Sequence, residues 1–308
     1  MCTAISFTAD NHYFGRNLDL DVTFGEDVIL TPSMSEVPYR YMQTSVPHFA
    51  VIGMGIIQNG FPLYFDGMNE HGLCAAALNF PEFASYGKHA VGKRCVTSFE
   101  VIPWILSSFR SLDEAIDNLK FVTVTDDSFS QGYPVTPLHW MVSDKTGNAV
   151  IEVTNGITHV FRVNPGVISN SPDYQEQIKN LSRYSSLFDS HIPVAGGEKN
   201  SFHDIPGGMS SQDRFVRGTY LLSHSVTPEN TEEGIAKSFG ILASLAVPRG
   251  CVLGTEGKHH FTRYSSCCVA TQGIYCFKRY NSERLLSFSF TEAVTGGRTI
   301  TVIKGENR

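Results

Sequence analysis

The chain has 308 residues, of which 42% are hydrophobic and 18% are charged, with 27 glycines, 14 prolines and seven cysteines. This composition is typical of a soluble globular protein and excludes the collagen-like, disordered and transmembrane classes. The formal net charge of −6, without a run of lysines or arginines, argues against nucleic acid or an anionic membrane as the main partner.

The cysteines and the first residues predict the compartment. The seven cysteines are odd in number and irregularly spaced, which favours reduced thiols over a disulfide framework. The chain passes from Met1 directly into a strand-like alternation, without the basic and apolar regions of a secretory signal. We therefore expect a cytoplasmic protein. No repeat, low-complexity tract or linker divides the sequence, so we predict one domain over residues 1–308.

The first third of the chain predicts antiparallel β-structure. Residues 3–8 and 12–17 form a predicted hairpin joined by turn-forming residues. Further strands are expected within residues 28–80, including 50–57 and 73–79, where apolar runs are separated by Gly, Pro and Asn.

Helical spacing of apolar residues follows, and it predicts helices over residues 98–109 and 113–120. A capping-box sequence that begins at Ser111 supports the start of the second helix. Residues 138–161 then predict a second hairpin, with turns at 144–148 and at Asn155-Gly156.

The second half of the chain predicts helices and then strands. Helices are expected over residues 174–188, 212–223 and 232–246, the last two capped by Ser211 and Thr231. A C-terminal meander is predicted from four strands, at residues 262–271, 273–280, 285–290 and 299–303. This order of blocks predicts an α+β protein with sheets packed face to face and helices outside.

Cys2 is the most informative residue for chemistry. A small side chain after the initiator Met1 usually permits removal of that methionine, which leaves a chain with both a thiol and a free α-amine at its start. The ordinary pKa is about 7.7–8.0 for an α-amine and about 8.5 for a thiol, so a proton passes from sulfur to nitrogen at little cost. One residue then supplies both nucleophile and base. The alternative is a small buried hydrophobic residue.

Arg16 and Asp19 lie on the return strand of the hairpin that begins with Cys2. A cation near the thiol favours the thiolate, and a carboxylate near the α-amine can orient it. In a regular strand the two side chains face opposite sides, so both line one site only if the strand bulges or bends. An exposed salt bridge on a strand edge is the alternative.

A set of motifs in a fixed order resembles the choloylglycine hydrolase family, which includes conjugated bile salt hydrolases and penicillin V acylases. The motifs are Met1-Cys2-Thr3, Phe14-Gly15-Arg16-Asn17-Leu18-Asp19, Asp66-Gly67-Met68-Asn69-Glu70, Leu78-Asn79-Phe80-Pro81, Leu138-His139-Trp140, Ser169-Asn170-Ser171-Pro172 and Arg214-Phe215. Weaker similarity follows at residues 264–267 and 273–275. The resemblance implies an N-terminal nucleophile hydrolase with a four-layer αββα fold and two packed antiparallel sheets.

The resemblance also implies roles for these residues. Cys2 attacks an amide carbonyl, and Arg16 and Asp19 adjust and orient it. The backbone N–H of Asn79 and the side-chain amide of Asn170 stabilise the oxyanion, where one preorganised donor is worth about 2.7–4 kcal/mol. Without the resemblance, each asparagine is better explained as a turn residue.

Arg214 matches a family arginine that supports the active site from a helix start, by holding a carboxylate or the chain end. The loop before it departs from the family pattern, because Gly207-Gly208 and Asp213 replace a Gly-Asp pair and a small residue. Pairing of Asp213 with Arg214 or Arg217 is the alternative. The segment at residues 190–204 is shorter than in typical members of the family, where this region contributes to subunit assembly. The resemblance implies a homo-oligomer, and the shorter segment leaves a tetramer open.

The expected substrate is a small molecule, a conjugated bile acid. Within the resemblance, Asn79 is typical of bile salt hydrolases, whereas penicillin V acylases more usually have Tyr. An apolar wall suits a steroid acid, and the wall is expected from Leu20, Phe24, Ile57, Phe65 and residues 124–135. Each of these residues alone is equally well explained as an ordinary core or loop residue.

The sequence thus predicts hydrolysis of glycine- or taurine-conjugated bile acids through an acyl-thioester on Cys2. No metal or cofactor is expected, since His259-His260 and Cys267-Cys268 lack the usual ligand spacing. Penicillin V or an N-acyl homoserine lactone, cleaved by the same mechanism, is the alternative substrate. A non-catalytic bile-salt-binding protein is the alternative from another class.

Overall fold

The computed structural model describes residues 1–43, 46–188, 205–254, 257–290 and 297–303. Residues 190–204, where the sequence predicts a shortened assembly segment, lie outside the described residues. Within the described ranges, no helix combines the length and the apolar character needed to cross a bilayer.

The described residues contain seventeen strands. In chain order they are β1 (Cys2–Thr8), β2 (His12–Leu20), β3 (Asp27–Thr31), β4 (Val51–Gln58), β5 (Phe61–Asn69), β6 (Cys74–Asn79), β7 (Arg94–Thr97), β8 (Val122–Thr125), β9 (Leu138–Asp144), β10 (Gly147–Thr154), β11 (Ile157–Val163), β12 (Val167–Ile168), β13 (Val252–Leu253), β14 (His259–Val269), β15 (Ile274–Arg279), β16 (Leu286–Ser289) and β17 (Thr301–Ile303).

Five α-helices are found in the same part of the chain. They are α1 (Val101–Ser108), α2 (Leu112–Leu119), α3 (Tyr174–Leu181), α4 (Ser211–His224) and α5 (Thr231–Ser244). Short 3-10 helices cover Ser98–Glu100, Ser182–Phe188 and Ala270–Gln272.

Two large antiparallel sheets dominate the fold. The first has the strand order β12-β1-β2-β14-β15-β16, with β13 paired to β14. The second has the order β11-β10-β9-β6-β5-β4-β3-β17. Strands β7 and β8 form a separate parallel pair. The N-terminal hairpin predicted from the sequence is confirmed, and it lies inside the first sheet because β12 and β14 flank it.

The sheets and helices stack in four layers. Helices α4 and α5 pack against β1, β2 and β14 of the first sheet, and α1 and α2 pack against β5, β6, β9 and β10 of the second. The main core lies between the sheets and contains Ala4, Phe14, Met54, Met68 and Met141. Burial of each of the larger of these side chains contributes about 1.5–3 kcal/mol. The α+β class and the αββα arrangement expected from the sequence are therefore confirmed.

The last strand corrects one prediction. The sequence places residues 299–303 in the C-terminal meander, but only β14, β15 and β16 form that meander. Strand β17 instead pairs with β3 in the second sheet, with Val302 opposite Ile29. The prediction is wrong because a β-type pattern does not specify a partner, and the free edge of β3 offers unpaired backbone groups.

Two helix starts lie one residue earlier than the sequence indicates. The predicted caps are Ser211 and Thr231, but the side chain of Ser210 accepts from Asp213 N–H at 3.1 Å. The side chain of Asn230 likewise accepts from Glu233 N–H at 3.0 Å. In each case the residue three positions later is acidic, and its charge favours the positive end of the helix dipole.

Candidate active site

Cys2 is the first residue of β1 and lines a cavity of about 460 Å³. Its side chain is 2% exposed. In the hairpin, Leu18 lies opposite Cys2 and Arg16 lies opposite Ala4. Since side chains alternate along a strand, Arg16 and Cys2 share one face, and both border the cavity. The structure thus brings these two predicted site residues together.

Arg16 is fully buried and held by backbone carbonyls. Its Nη1 donates to Phe65 O and to Ala77 O, both at 2.8 Å. Its Nη2 is buried and has no hydrogen-bond partner among the described residues. Burial lowers the pKa of Arg16, but the negative charges of Cys2 and Asp66 help to raise it above the ordinary value. The guanidinium is therefore a fixed positive charge beside the thiol.

Asp19 lies on the opposite face of β2 from Arg16. Its Oδ1 accepts from Thr262 Oγ1 at 2.6 Å, while its Oδ2 is buried without a hydrogen-bond partner among the described residues. Pairing of β1 with β2 is regular, and the bulge lies in β14, between Thr262 and Tyr264. The two predicted residues therefore do not line one face, because β2 itself does not bulge.

The backbone of Asp19 is paired with the residue before Cys2. The Met1 amine donates to Asp19 O at 2.8 Å, and Asp19 N–H donates to Met1 O at 3.0 Å. Asp19, whose Oδ2 has no hydrogen-bond partner among the described residues, therefore lies beside the start of the chain.

Asn170 connects the start of β1 to the end of β6. Its Oδ1 accepts from Cys2 N–H at 2.6 Å, and its Nδ2 donates to Asn79 O at 2.7 Å. The N–H of Phe80 points toward the start of β9 and donates at 2.8 Å to the O atom of Pro137, the residue before that strand. By strand alternation, the backbone groups of Asn79 point the other way, toward Asn170 and the cavity that Asn79 lines. The two amide groups expected at an oxyanion site therefore converge.

Arg214 extends from α4 to the first residues of β1. It is 0% exposed, and its Nη2 donates to Asn170 Oδ1 at 2.9 Å. Its Nη1 donates to Cys2 O and to Thr3 Oγ1. Burial lowers the pKa of Arg214, and the charges of Asp19 and Cys2 oppose that effect. Of the predicted alternatives, Arg214 therefore holds the chain start.

The loop before Arg214 does not divert this side chain. The Asp213 carboxylate accepts from Ser210 Oγ at 2.7 Å within the cap of α4. Arg217 donates to Pro206 O at 2.6 Å and to Ser244 O at 3.1 Å. Asp213 thus makes its hydrogen bond with the helix cap.

Three of the four apolar residues that the sequence predicts individually for the cavity wall do line the cavity. Leu20, Phe24 and Phe65 line the cavity, and the rings of Phe24 and Phe65 meet edge-on at 5.9 Å. Ile57 does not line it, and Ile56 does. The prediction of Ile57 is wrong because neighbouring side chains of β4 alternate, and Ile57 packs in the core beneath the helices α1 and α2.

A loop, residues 126–137, closes another side of the cavity with Phe129 and Tyr133. Arg40, which the sequence analysis missed, donates to Ser128 O at 2.8 Å and to Phe129 O at 3.2 Å. Tyr86 OH donates to Thr136 O at 2.9 Å near the end of the loop. No local sequence pattern indicates these contacts, because each donor lies 40 or more residues away.

A buried carboxylate, Asp66, lies behind Arg16 and was also missed as a site residue. The distance from Arg16 Nε to Asp66 Oδ2 is 3.9 Å. Asp66 begins one of the family-like motifs, but the sequence assigns it no chemistry. Its other contacts come from β14 and β15, which follow about 200 residues later.

The assembled groups suit nucleophilic attack on a carbonyl. A thiol lies beside a permanent cation, and amide groups of Asn79 and Asn170 converge nearby. Such donors stabilise negative charge on a carbonyl oxygen when they are fixed in advance.

Comparison with known proteins gives a consistent result. Residues 2–295 match the family model described as linear amide C–N hydrolases, choloylglycine hydrolase family. The chain is 35% identical over 298 residues to a bile salt hydrolase/transferase from Lactiplantibacillus plantarum, covering 94% of this chain and 92% of the relative. It is 37% identical over 291 residues to a conjugated bile acid hydrolase from Lactobacillus gasseri, covering 90% and 92%.

Solved structures show the same fold. A conjugated bile acid hydrolase from Clostridium perfringens superimposes with a TM-score of 0.88 and 30% identity, covering 99% of this chain and 97% of that chain. A penicillin V acylase from Agrobacterium tumefaciens gives a TM-score of 0.77 at 19% identity, covering 97% and 90%. The second likeness concerns the fold alone.

Proposed function

Because this chain belongs to the choloylglycine hydrolase family, an amidohydrolase family of N-terminal nucleophile enzymes, we propose that it cleaves the amide bond of glycine- or taurine-conjugated bile acids. The observation that carries the proposal is the position of Cys2 at the wall of a cavity of about 460 Å³. Relatives named as bile acid hydrolases match more than nine-tenths of their own length.

The proposed nucleophile is the Cys2 thiolate, with its own α-amine as base. Removal of Met1 would free that amine. The backbone N–H and C=O of Asp19, which now pair with Met1, would then lack those partners. The unpartnered Oδ2 of Asp19 and the Oδ1 of Asn170 then supply acceptors for the charged amine. The amine takes the thiol proton, and the positive charge of Arg16 favours the resulting thiolate.

The reaction then follows acyl transfer in two steps. The thiolate attacks the amide carbonyl, and the oxyanion accepts from Asn79 N–H and Asn170 Nδ2. The ammonium group of Cys2 gives its proton to the leaving nitrogen, so that glycine or taurine departs and a cholyl-thioester remains. Water, deprotonated by the same amine, hydrolyses the thioester and releases the bile acid. Arg214 holds the chain start through Cys2 O and Asn170.

The acyl site is the apolar part of the cavity. Aromatic side chains from separate elements face it, including Phe24, Phe65, Phe99 and Phe129. The rings of Phe99 and Phe129 meet edge-on at 5.1 Å, which joins the cavity loop to the rest of the wall. A rigid apolar wall favours a fused-ring steroid over a flexible polar acyl group.

The first experiment measures amino-acid release from glycocholate and taurocholate, and phenoxyacetate release from penicillin V, by the purified protein. We expect rapid release from the bile salts and an intact mass that lacks Met1. Cys2→Ala should lower kcat by at least about 10³-fold, since no other group replaces the nucleophile. The matched control is Cys251→Ala, because Cys251 is exposed and lies outside the cavity lining.

The outcomes separate the candidate functions. Cleavage of penicillin V without release from the bile salts assigns a different acyl group to the same mechanism. Binding of bile salt without product, unchanged in Cys2→Ala, assigns a binding protein. A Cys2→Ala variant that keeps most of its turnover contradicts the proposed nucleophile.

A further inference from the structure

The buried carboxylate of Asp66 has no part in the reaction proposed above. Asp66 is 1% exposed, and its Oδ2 lies 3.9 Å from Arg16 Nε. The hydroxyls of Tyr264 and Tyr275 donate to the carboxylate at 2.5 and 2.6 Å, and Ser266 Oγ donates at 3.0 Å. Three hydroxyl donors and one guanidinium thus surround a carboxylate that does not itself line the cavity.

These contacts favour the ionised carboxylate. Burial has the largest effect and raises the pKa of Asp66 above its ordinary value, while the positive charge of Arg16 and the hydrogen bonds from Tyr264 and Tyr275 oppose that rise. Each of the three hydroxyls directs its hydrogen at a carboxylate oxygen, which is the arrangement that a charged acceptor requires. Asp66 is therefore the counter-ion of Arg16.

We propose that Asp66 acts through Arg16: its negative charge weakens the effect of Arg16 on the Cys2 thiol and thereby sets the pH range in which the thiolate forms. A negative charge beside a cation cancels part of the field that the cation exerts on a third group. Arg16 does not depend on Asp66 for its place, because Nη1 is also held by Phe65 O and Ala77 O. Removal of the Asp66 charge should thus change the field and leave the guanidinium in position.

Charged side chains of both signs act on the Cys2 thiol, either directly or through another charge. Two cations, Arg16 and Arg214, act on the thiol from β2 and α4. Two carboxylates, Asp19 and Asp66, act on those cations. When the Asp66 charge is lost, Asp19 is the carboxylate of this pair that still opposes the two cations near the thiol.

The buried tyrosine and cysteine groups around Asp66 are neutral near pH 7, and the α-amine of Cys2, the proposed base, is a further titratable group beside the thiol. Burial raises the pKa of Tyr264, of Tyr275 and of Cys268 well above their ordinary values. Asp213 acts on Arg214 from the first turn of α4, outside the cavity. The change at Asp66 is therefore not compensated by a proton on the buried tyrosine and cysteine groups.

The test measures the reaction of Cys2 with iodoacetamide as a function of pH, in wild type and in Asp66→Asn. In this reaction the thiolate sulfur displaces iodide and forms a sulfur–carbon bond, so the rate follows the thiolate population. Labelling is quantified from the mass of the N-terminal peptide, and the exposed Cys251 serves as an internal reference. We expect the midpoint of the Cys2 curve to fall by about one pH unit in Asp66→Asn.

A matched control distinguishes the effect of losing a charge near Arg16 from the effect of losing any buried carboxylate. Asp144 is also buried and accepts from Leu112 N–H at 2.8 Å, away from the cavity. Asp144→Asn should leave the Cys2 midpoint unchanged, whereas a purely structural role of Asp66 would lower the melting temperature without moving the midpoint. Should Asp66→Asn fail to fold by circular dichroism, Asp66→Ser gives the same change in charge.

The inference rests on Cys2 as the proposed nucleophile, and the two can fail separately. A Cys2 that stays unlabelled at every pH in the wild type contradicts the nucleophile and, with it, this inference. A reactive wild-type Cys2 whose midpoint stays unchanged or rises in Asp66→Asn overturns the role of Asp66 alone. The acid limb of kcat/KM for glycocholate should move in the same direction as the labelling curve.

Discussion

The side-chain amide of Asn170 is fixed by its partners on both sides. Its Oδ1 accepts from Cys2 N–H and from Arg214 Nη2, both of which are donors only. The oxygen must therefore face the start of β1, and the nitrogen faces Asn79 O. One hydrogen of Nδ2 is used by Asn79, and the second is available for the oxygen of a substrate.

This orientation gives a prediction at the residue scale. Asn170→Ala should lower kcat by about 10²–10³-fold, because one oxyanion donor is lost, while KM changes less. The variant also leaves buried donors of Cys2 and Arg214 without their acceptor, so its melting temperature should fall. Steady-state kinetics with glycocholate and a thermal melt measure both effects.

Asn69 provides the matched control for that variant. Its Nδ2 donates to Leu106 O and Phe109 O, and its Oδ1 accepts from Leu73 N–H, all away from the cavity. Asn69→Ala should lower the melting temperature and leave kcat near the wild-type value. If Asn170→Ala kept kcat within threefold of wild type, the proposed oxyanion role would be lost.

The residue scale also shows what the sequence could predict. The proximity of Arg16 to Cys2 follows from hairpin geometry alone, because both lie in one local element. The choice between Ile56 and Ile57 depends on the register of β4, which neighbours in sequence do not determine. The cluster around Asp66 joins β2, β5, β14 and β15, and no local pattern specifies such a meeting.

Strands β4 and β5 approach closely just where they support the site. Gly53 lies opposite Gly67, and Asp66 precedes Gly67 in the chain. Past this pair the register shifts, since Met54 pairs with Asp66 and Gly55 pairs with Tyr64. The extra residue is Phe65, and the bulge lets consecutive residues serve the cavity wall and the Arg16 contact.

The close approach predicts the effect of a single methyl group. A Cβ at Gly53 would lie 2.1 Å from Asp66 O and 2.5 Å from the Cα of Gly67, both of which are backbone atoms. Gly53→Ala should therefore lower the free energy of unfolding by about 1–3 kcal/mol, because the strands must move apart. Urea denaturation measures the change.

A glycine with open surroundings gives the opposite expectation. Gly240 lies in α5, and apart from its chain neighbours and the nearby helix backbone, no heavy atom among the described residues lies within 4 Å of the position that an alanine methyl group would take there. Gly240→Ala should raise the free energy of unfolding by about 0.5–1 kcal/mol, because alanine favours the helix. Equal stability of Gly53→Ala and wild type would show that β4 and β5 tolerate a wider spacing.

Elements differ in how far their sequence determines them. Hairpins and helices with local signals were predicted near their observed positions, and the Ser111 cap of α2 is confirmed by a 3.3 Å bond from Glu114 N–H. The caps Ser210 and Asn230 were each missed by one residue, since several adjacent residues can cap. Strand β17 was placed in the wrong sheet because its partner, β3, lies some 270 residues earlier.

At the scale of the whole molecule, a buried polar chain joins the two sheets. His12 at the start of β2 bonds through Nε2 to Ser143 Oγ in β9 at 2.9 Å. Ser143 Oγ also lies 2.8 Å from Ser6 Oγ in β1. The Nδ1 of His12 bonds to Thr8 Oγ1 at 3.0 Å. These contacts connect the hairpin that carries Cys2 to the second sheet.

This position makes the packing of the sheets sensitive to acid. Burial lowers the pKa of His12 from 6.5 to about 4, although the charge of Asp144 opposes the effect. The unfolded chain binds a proton below pH 6.5 that the folded chain takes up only near pH 4. Stability is therefore fully present above pH 6.5 and falls as the pH decreases toward 4, by up to about 3 kcal/mol from this group.

His12→Gln should remove that part of the acid sensitivity. The difference in the free energy of unfolding between pH 7 and pH 4.5 should be about 2–3 kcal/mol smaller in His12→Gln than in wild type, as measured by urea denaturation. His159→Gln is the control, because His159 lies on the edge strand β11 and stacks on Phe161. Its pH dependence should match that of wild type. The same acid sensitivity in His12→Gln and wild type would mean that other groups, rather than the contact between the sheets at His12, determine stability at low pH.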